Sequence, residues 1–175
     1  KYANPYNNLG IVLQKLGKLP EAEKSFRRAI ELQQNFAEVH SNLAITLQKM
    51  GRSEEAEESH KKAISTDPQY FGAYLNFCEF LEKANRLDDM DLVLNDAKEN
   101  GYKGSSQLIL YESLLFFRRE QYEVAEQLLL GIKEQDLTEE RLIAFLRLKA
   151  ELFQQKRNFK HAFATFEEIN CKIKN

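Results

Sequence analysis

Apolar side chains recur at helical intervals along nearly the whole chain. Tyr6, Leu9 and Leu13 fall on one face of a first segment, and Ala22, Phe26, Ala29 and Ile30 on one face of a second. No stretch alternates apolar and polar as a half-buried strand does, and three prolines and seven glycines break the pattern only at short turns. The pattern predicts helix throughout. Shifted against itself by 34 residues, the sequence superposes Leu9, Leu43 and Phe77, then Leu13, Leu47 and Leu81. Ala29, Ala63 and Ala97 coincide as well, as do Ala22 with Ala56 and Gly17 with Gly51. The chain is an array of helix pairs. Small residues at Gly10, Ala44 and Cys78 let the two helices of a pair approach closely, with Ala22 and Ala56 opposite them. Pro20 suits the first turn of a second helix, Ser53 with Glu55 offers an N-cap in the next unit, and Gly101 and Gly104 can end the third.

With small and large residues in these places, Ala3 to Tyr70 resembles two copies of the tetratricopeptide repeat. Tyr74, Phe77, Cys78, Leu81 and Ala97 resemble a third copy, in which Asn85 replaces the turn glycine and Met90 the small alanine. Tyr122, Ala125 and Leu129, then Phe159, Ala162 and Phe166, resemble second helices of a fourth and fifth copy, 37 residues apart. The resemblance implies an all-α, right-handed superhelix of about five tetratricopeptide helix pairs. The expected repeats are 3–36, 37–70, 71–104, 106–139 and 143–172, in a single repeat domain over 1–175 that is a piece of a longer protein. In this family first helices line a concave groove and second helices form the outer wall.

Charge adds little to the fold and removes some functions. A balance of 25 basic against 27 acidic residues leaves no surplus to neutralise phosphates, so nucleic acid is not an expected partner. No run of apolar residues is long enough for a membrane span, and no membrane partner is expected. Cys78 and Cys171 stand in no metal or redox spacing, which fits a reducing, cytoplasmic setting. No phosphate loop, paired-cysteine motif, HExxH or serine elbow is present, so neither catalysis nor a cofactor is expected. His40 and His60 occupy positions that the repeat fills with aromatic rings, and His161 adjoins a second-helix start. Glu54, Glu55, Glu57 and Glu58 read as a solvated face that complements a helix dipole.

One polar pattern is sharper. Asn8, Asn42 and Asn76 recur at the repeat period, and Asn7 and Ser41 flank them. An amide both donates and accepts, so such a row can pair with successive peptide groups of an extended segment; inheritance through repeat duplication explains the row equally well. Lys15, Lys49 and Lys83 run beside it, either receiving acidic side chains or complementing the ends of the first helices. The row, with the phrase Ser41-Asn42-Leu43-Ala44, resembles repeats of O-linked N-acetylglucosamine transferases. Ala162 to Asn170 resembles the segment that joins repeats to catalytic domain in bacterial tetratricopeptide sulfotransferases. The carboxylate clamp that the family uses for chaperone tails is incomplete. Asn42 fits it, but Asn7, Ile11, Gly72 and Asn76 stand where its other residues belong.

The expected function is therefore a scaffold holding a protein or peptide in the groove, and the alternative is the substrate-recognition arm of a larger transferase. Leu110, Leu114, Phe116 and Phe117 are expected either to line an apolar pocket or to pack closely. The apolar end at Phe163, Phe166 and Ile169 is expected to meet a second copy or a further domain.

Overall fold

Five times along the chain one backbone turn joins two antiparallel helices. The turn residue takes a left-handed φ: Gly17 at 74°, Gly51 at 77°, Asn85 at 54°, Glu120 at 59° and Arg157 at 57°. The N–H after it returns to a carbonyl near the helix end, as in Lys18 to Leu13 and Arg52 to Leu47 at 2.9 and 3.0 Å. Arg86 to Leu81, Gln121 to Phe116 and Asn158 to Phe153 repeat the bond at 2.9, 2.9 and 2.8 Å. This closure satisfies carbonyls that the helix end would otherwise leave unpaired. Glycine adopts it without strain in the first two copies, whereas three L-residues are held there in the others.

A computed structural model of the protein describes residues 3–174, with the Lys174 side chain excluded. It contains α1 (Ala3–Lys15), α2 (Leu19–Leu32), α3 (Ala37–Lys49), α4 (Ser53–Thr66), α5 (Phe71–Lys83), α6 (Leu87–Ala97), α7 (Ser106–Arg118), α8 (Tyr122–Leu130), α9 (Glu139–Gln155) and α10 (Phe159–Lys174). There is no strand among the described residues, as the helical period predicts. An irregular turn, Lys98–Tyr102, follows α6, and a 3₁₀ turn, Glu134–Asp136, follows α8. Pro20 sits in the first turn of α2, as expected. Ser53 does not cap α4: it is already helical, Arg52 is the N-cap residue, and no side chain caps the helix. α9 starts at Glu139, ahead of residue 143, because the Thr138 hydroxyl accepts from the Arg141 N–H at 3.4 Å.

The helices form two compact units divided after Gly101. In the first, α1–α6 bury Ala22, Phe26, Ala29, Leu47, Ala56, Ala63, Tyr74, Leu81 and Leu94. Small-to-large complementarity is tight there: a methyl group on Gly10 would lie 2.5 Å from the Phe26 ring. In the second, Leu110, Ala125, Leu129, Phe145, Leu146, Leu152 and Ile169 form a core, against which Leu114, Phe116, Phe117 and Phe166 pack half-buried. Close packing thus accounts for Phe116 and Phe117 of α7.

Candidate functional site

In the first unit α1, α3 and α5 stand beside one another, which brings the asparagine row and its flanking residues onto neighbouring helices. Asn42 Nδ2 donates to Asn7 Oδ1 at 3.1 Å, and Asn76 Nδ2 donates to Ser41 Oγ at 2.9 Å. Asn7 Nδ2 in turn donates to Glu38 Oε1 at 3.0 Å. Asn7 and Ser41 are buried, so each serves as a fixed post for the next helix. Asn42 and Asn76 are half-buried and spend one amide hydrogen each, keeping an acceptor oxygen and a second hydrogen. Asn8, on the first helix, is exposed and has no hydrogen-bond partner among the described residues. Gln14 completes the link by donating to Thr46 Oγ1 at 2.8 Å and to the Asn42 carbonyl at 3.3 Å.

Lys15, Lys49 and Lys83 all lie exposed in the last turns of their helices, where the dipole favours a cation. Lys83 pairs with Glu79 at 2.6 Å. Lys15 and Lys49 make no ion pair among the described residues.

The second helices carry a different device. Arg52 Nη1 meets Glu23 Oε2 at 2.6 Å, and at the equivalent positions one repeat later Arg86 grips both oxygens of Glu57. Glu57 is therefore a half-buried tie between repeats and not part of a solvated face. Hydrogen bonds from Arg86, then from Lys61, hold its carboxyl down at about 2. Glu55 belongs to the same network through Arg52 at 2.6 Å and Arg27 at 3.4 Å.

His60 occupies the Phe26 position of the second repeat, fully buried, its ring stacked on Phe77 at 5.3 Å and tilted against Phe80 at 5.4 Å. Neither ring nitrogen has a hydrogen-bond partner among the described residues. Burial lowers its pKa to about 4, so the ring is neutral near pH 7. His40 is buried as well, with Nε2 3.1 Å from the Gln34 carbonyl, and burial lowers its pKa. His161 is exposed and lies 2.8 Å from Asn158 Oδ1. No group of His, Cys, Asp and Glu among the described residues is placed to hold a metal ion.

Two clefts open between successive second helices. One, of about 590 Å³, has Ile30, Leu43 and Leu47 as its floor and Arg27, Glu58 and Lys62 at its rim. The other, of about 510 Å³, uses the residues one repeat on, with Ile64, Phe77 and Leu92 among them. None of the asparagine row lines either cleft. Lys83 does border a smaller one, of about 340 Å³, with Gln48, Phe80 and Arg86.

The turn, the small-large pairing and the ties between repeats define a tetratricopeptide helix-pair array. Residues 1–69 match the tetratricopeptide repeat family. No curated protein sequence matches it. Among solved structures it is similar to pilF of Pseudomonas aeruginosa, with a TM-score of 0.79 and 20% identity over 97% of this chain and 76% of that one. It is also similar to a thermophilic tetratricopeptide protein of Thermus thermophilus, with a TM-score of 0.72 and 23% identity over 95% and 89% of the two chains. A third is YrrB, described as having an unusual peptide-binding site, with a TM-score of 0.65 and 16% identity over 97% and 86%. At these identities the likeness is one of fold. No helix among the described residues is long and apolar enough to cross a membrane.

Proposed function

We propose that this protein is an interaction scaffold that holds an extended protein segment along α1, α3 and α5, with Asn8, Asn42 and Asn76 pairing with its peptide groups. The observation that carries this reading is the pair of bonds that fix Asn42 to Asn7 and Asn76 to Ser41. Side chains already held in one rotamer lose little entropy on binding, and each keeps a donor and an acceptor for the ligand backbone. Lys15 and Lys49 beside the row favour acidic side chains in that segment. Catalysis has no part in the proposal, and no cofactor is needed.

The test is selection of binders from a displayed peptide library, followed by titration of a selected peptide. Asn8→Ala leaves the two fixing bonds intact and should weaken binding by about 0.5–1.5 kcal/mol, the net value of one hydrogen bond. Lys15→Glu combined with Lys49→Glu should weaken acidic peptides most. Selected peptides that bind both variants as tightly as the parent would place the site elsewhere.

A further inference from the structure

From Val39 to Leu47 every residue of α3 is buried except Asn42 and Ile45. With Glu38 before them and Lys49 after, both accessible, they form one stripe at spacings of four, three and four residues. Gly72, Asn76, Glu79 and Lys83 repeat the stripe on α5.

Glu38 is half-buried and takes one hydrogen bond, from the neutral Asn7 amide to Oε1 at 3.0 Å. Glu23, Glu57, Glu79, Asp89 and Glu126, half-buried like it, each pair with an Arg or a Lys. Glu38 pairs with no cation among the described residues, so the cost of drawing its charge partly out of water is left without that compensation. An aromatic ring stands near it. Tyr70, in the turn ahead of α5, rests its ring against Gly72: a methyl group there would lie 2.8 Å from the phenol oxygen and 2.9 Å from the carbon that bears it. Gly72 is the counterpart of Glu38 one repeat on, and its lack of a side chain leaves the ring this place. Burial, and after it the Glu38 charge, raises the Tyr70 phenol above its ordinary pKa, which puts the ring and the carboxylate in one neighbourhood.

We propose that Glu38 and Tyr70 form a subsite for a Lys or Arg side chain of the segment held by the asparagine row, a proposal that rests on that reading of the groove. Asn42 and Asn76 meet peptide groups from the groove floor, and alternate side chains of an extended chain leave at right angles to those bonds, towards opposite ends of α3. Glu38 stands one turn, about 6 Å, N-terminal of Asn42, within reach of one set of them. Its carboxylate accepts from an ammonium or guanidinium group, and an aromatic ring beside it attracts the same cation. The other set points towards Ile45 and Lys49, so the residues flanking the basic one are aliphatic or acidic.

The test pans a displayed library of random segments on the parent and on Glu38→Gln. The glutamine keeps an acceptor for Asn7, so the urea midpoint of this variant should match the parent's. Segments selected on the parent should carry Lys or Arg at one fixed position, and those selected on Glu38→Gln should not. In a peptide selected on the parent, norleucine at that position should weaken binding to the parent about tenfold, the worth of a charge-assisted hydrogen bond, and leave binding to Glu38→Gln unchanged. Tyr70→Leu should weaken the basic peptide about threefold and leave the norleucine peptide unmoved. No enrichment of basic residues, or an equal cost of norleucine on the parent and on Glu38→Gln, overturns the subsite. Asn8→Ala separates that failure from failure of the groove itself. If it weakens the selected peptides while Glu38→Gln binds them like the parent, the groove stands and the subsite falls. If it weakens none of them, or if the library yields no binder, both fall.

Discussion

Arg86 holds Glu57 through two guanidinium nitrogens, Nη2 donating to Oε1 at 3.1 Å, and so ties the third repeat to the second. The Arg52 to Glu23 contact at 2.6 Å is the same tie one repeat earlier. In the second unit the position equivalent to Arg86 is Asn158, and Lys156, two residues before it, reaches Glu126 at 2.5 Å, so the tie persists there with a different cation. Each links sites 29 or 30 residues apart, where only stacking of the repeats brings them together.

A double-mutant cycle with Glu57→Gln and Arg86→Ala should give a coupling of about 1 kcal/mol. The pair is partly exposed, which keeps it near the upper end of surface ion pairs and no higher. Its pH dependence follows from the lowered carboxyl. With a folded value of about 2 against 4.5 for the free side chain, the stabilisation is complete above 4.5 and is lost as pH falls towards 2. Urea titrations of Glu57→Gln and the parent should converge across that window.

His60 titrates in the opposite sense from a paired histidine. Its folded pKa of about 4 lies below the free value of 6.5, so between these pH values the unfolded chain binds the extra proton. Its contribution to stability should fall with decreasing pH, by up to about 1.4 kcal/mol per pH unit within the window. Above 6.5 it should be flat. His60→Leu, which copies Leu94 of the third repeat, should flatten this limb while leaving the carboxylate limb below 4.5 in place. An unchanged slope from pH 6.5 to 5 in that variant would show that the ring is not the titrating group.

Gly10→Ala should cost about 1–3 kcal/mol, because the new methyl would sit 2.5 Å from a fully buried ring. The third repeat shows the remedy, with Cys78 and Leu94 at the equivalent positions and no ring at the second. Gly10→Ala with Phe26→Leu should therefore be less destabilised than the sum of the two single changes. Additive losses in urea denaturation would mean that the two positions do not share one space.

The repeat was legible because small residues keep their places even where the motif decays. Ala125 and Ala162 are both buried, as their alignment with Ala22 predicts. Two features were not legible, for physical reasons. The third to fifth turns take left-handed geometry because the helix pair on either side imposes it, so Glu120 and Arg157 carry no compositional sign of it. Adjacent residues on a helix point about 100° apart, and a period of 34 cannot say which of Asn7 and Asn8 faces the next helix. The alternation of Glu23 and Glu57 with Arg52 and Arg86 at one period was a visible sign of the ties between repeats.

Those turns offer a stabilising change. Glu120→Gly and Arg157→Gly each relieve an L-residue at φ of 59° and 57°, and each should raise stability by up to about 1 kcal/mol. Gly51→Ala, at φ of 77°, should lose a similar amount. Thermal melts of the three variants would check both signs, and a loss from Glu120→Gly would show that its side chain matters more than its backbone.

In the second unit, α10 carries an exposed apolar face. Phe166, half-buried, packs against the core of the second unit, so replacing it tests folding more than association. Phe159 and Phe163 on α10 are the exposed pair, at 66% and 65%, one helical turn apart, with Ile173 further along the same helix. Phe163 stands where earlier repeats place Glu23, Glu57 and Glu126, so an exposed aromatic ring replaces the carboxylate at this position. Exposed aromatic residues grouped on one helix mark an interaction surface, and a specific contact there should bury roughly 1,000 Å² or more. Sedimentation over a concentration series should show self-association that Phe159→Ser with Phe163→Ser abolishes, while the urea midpoint at low concentration stays where it was. A parent chain that sediments as a monomer at every concentration would rule out a second copy as the partner of this face.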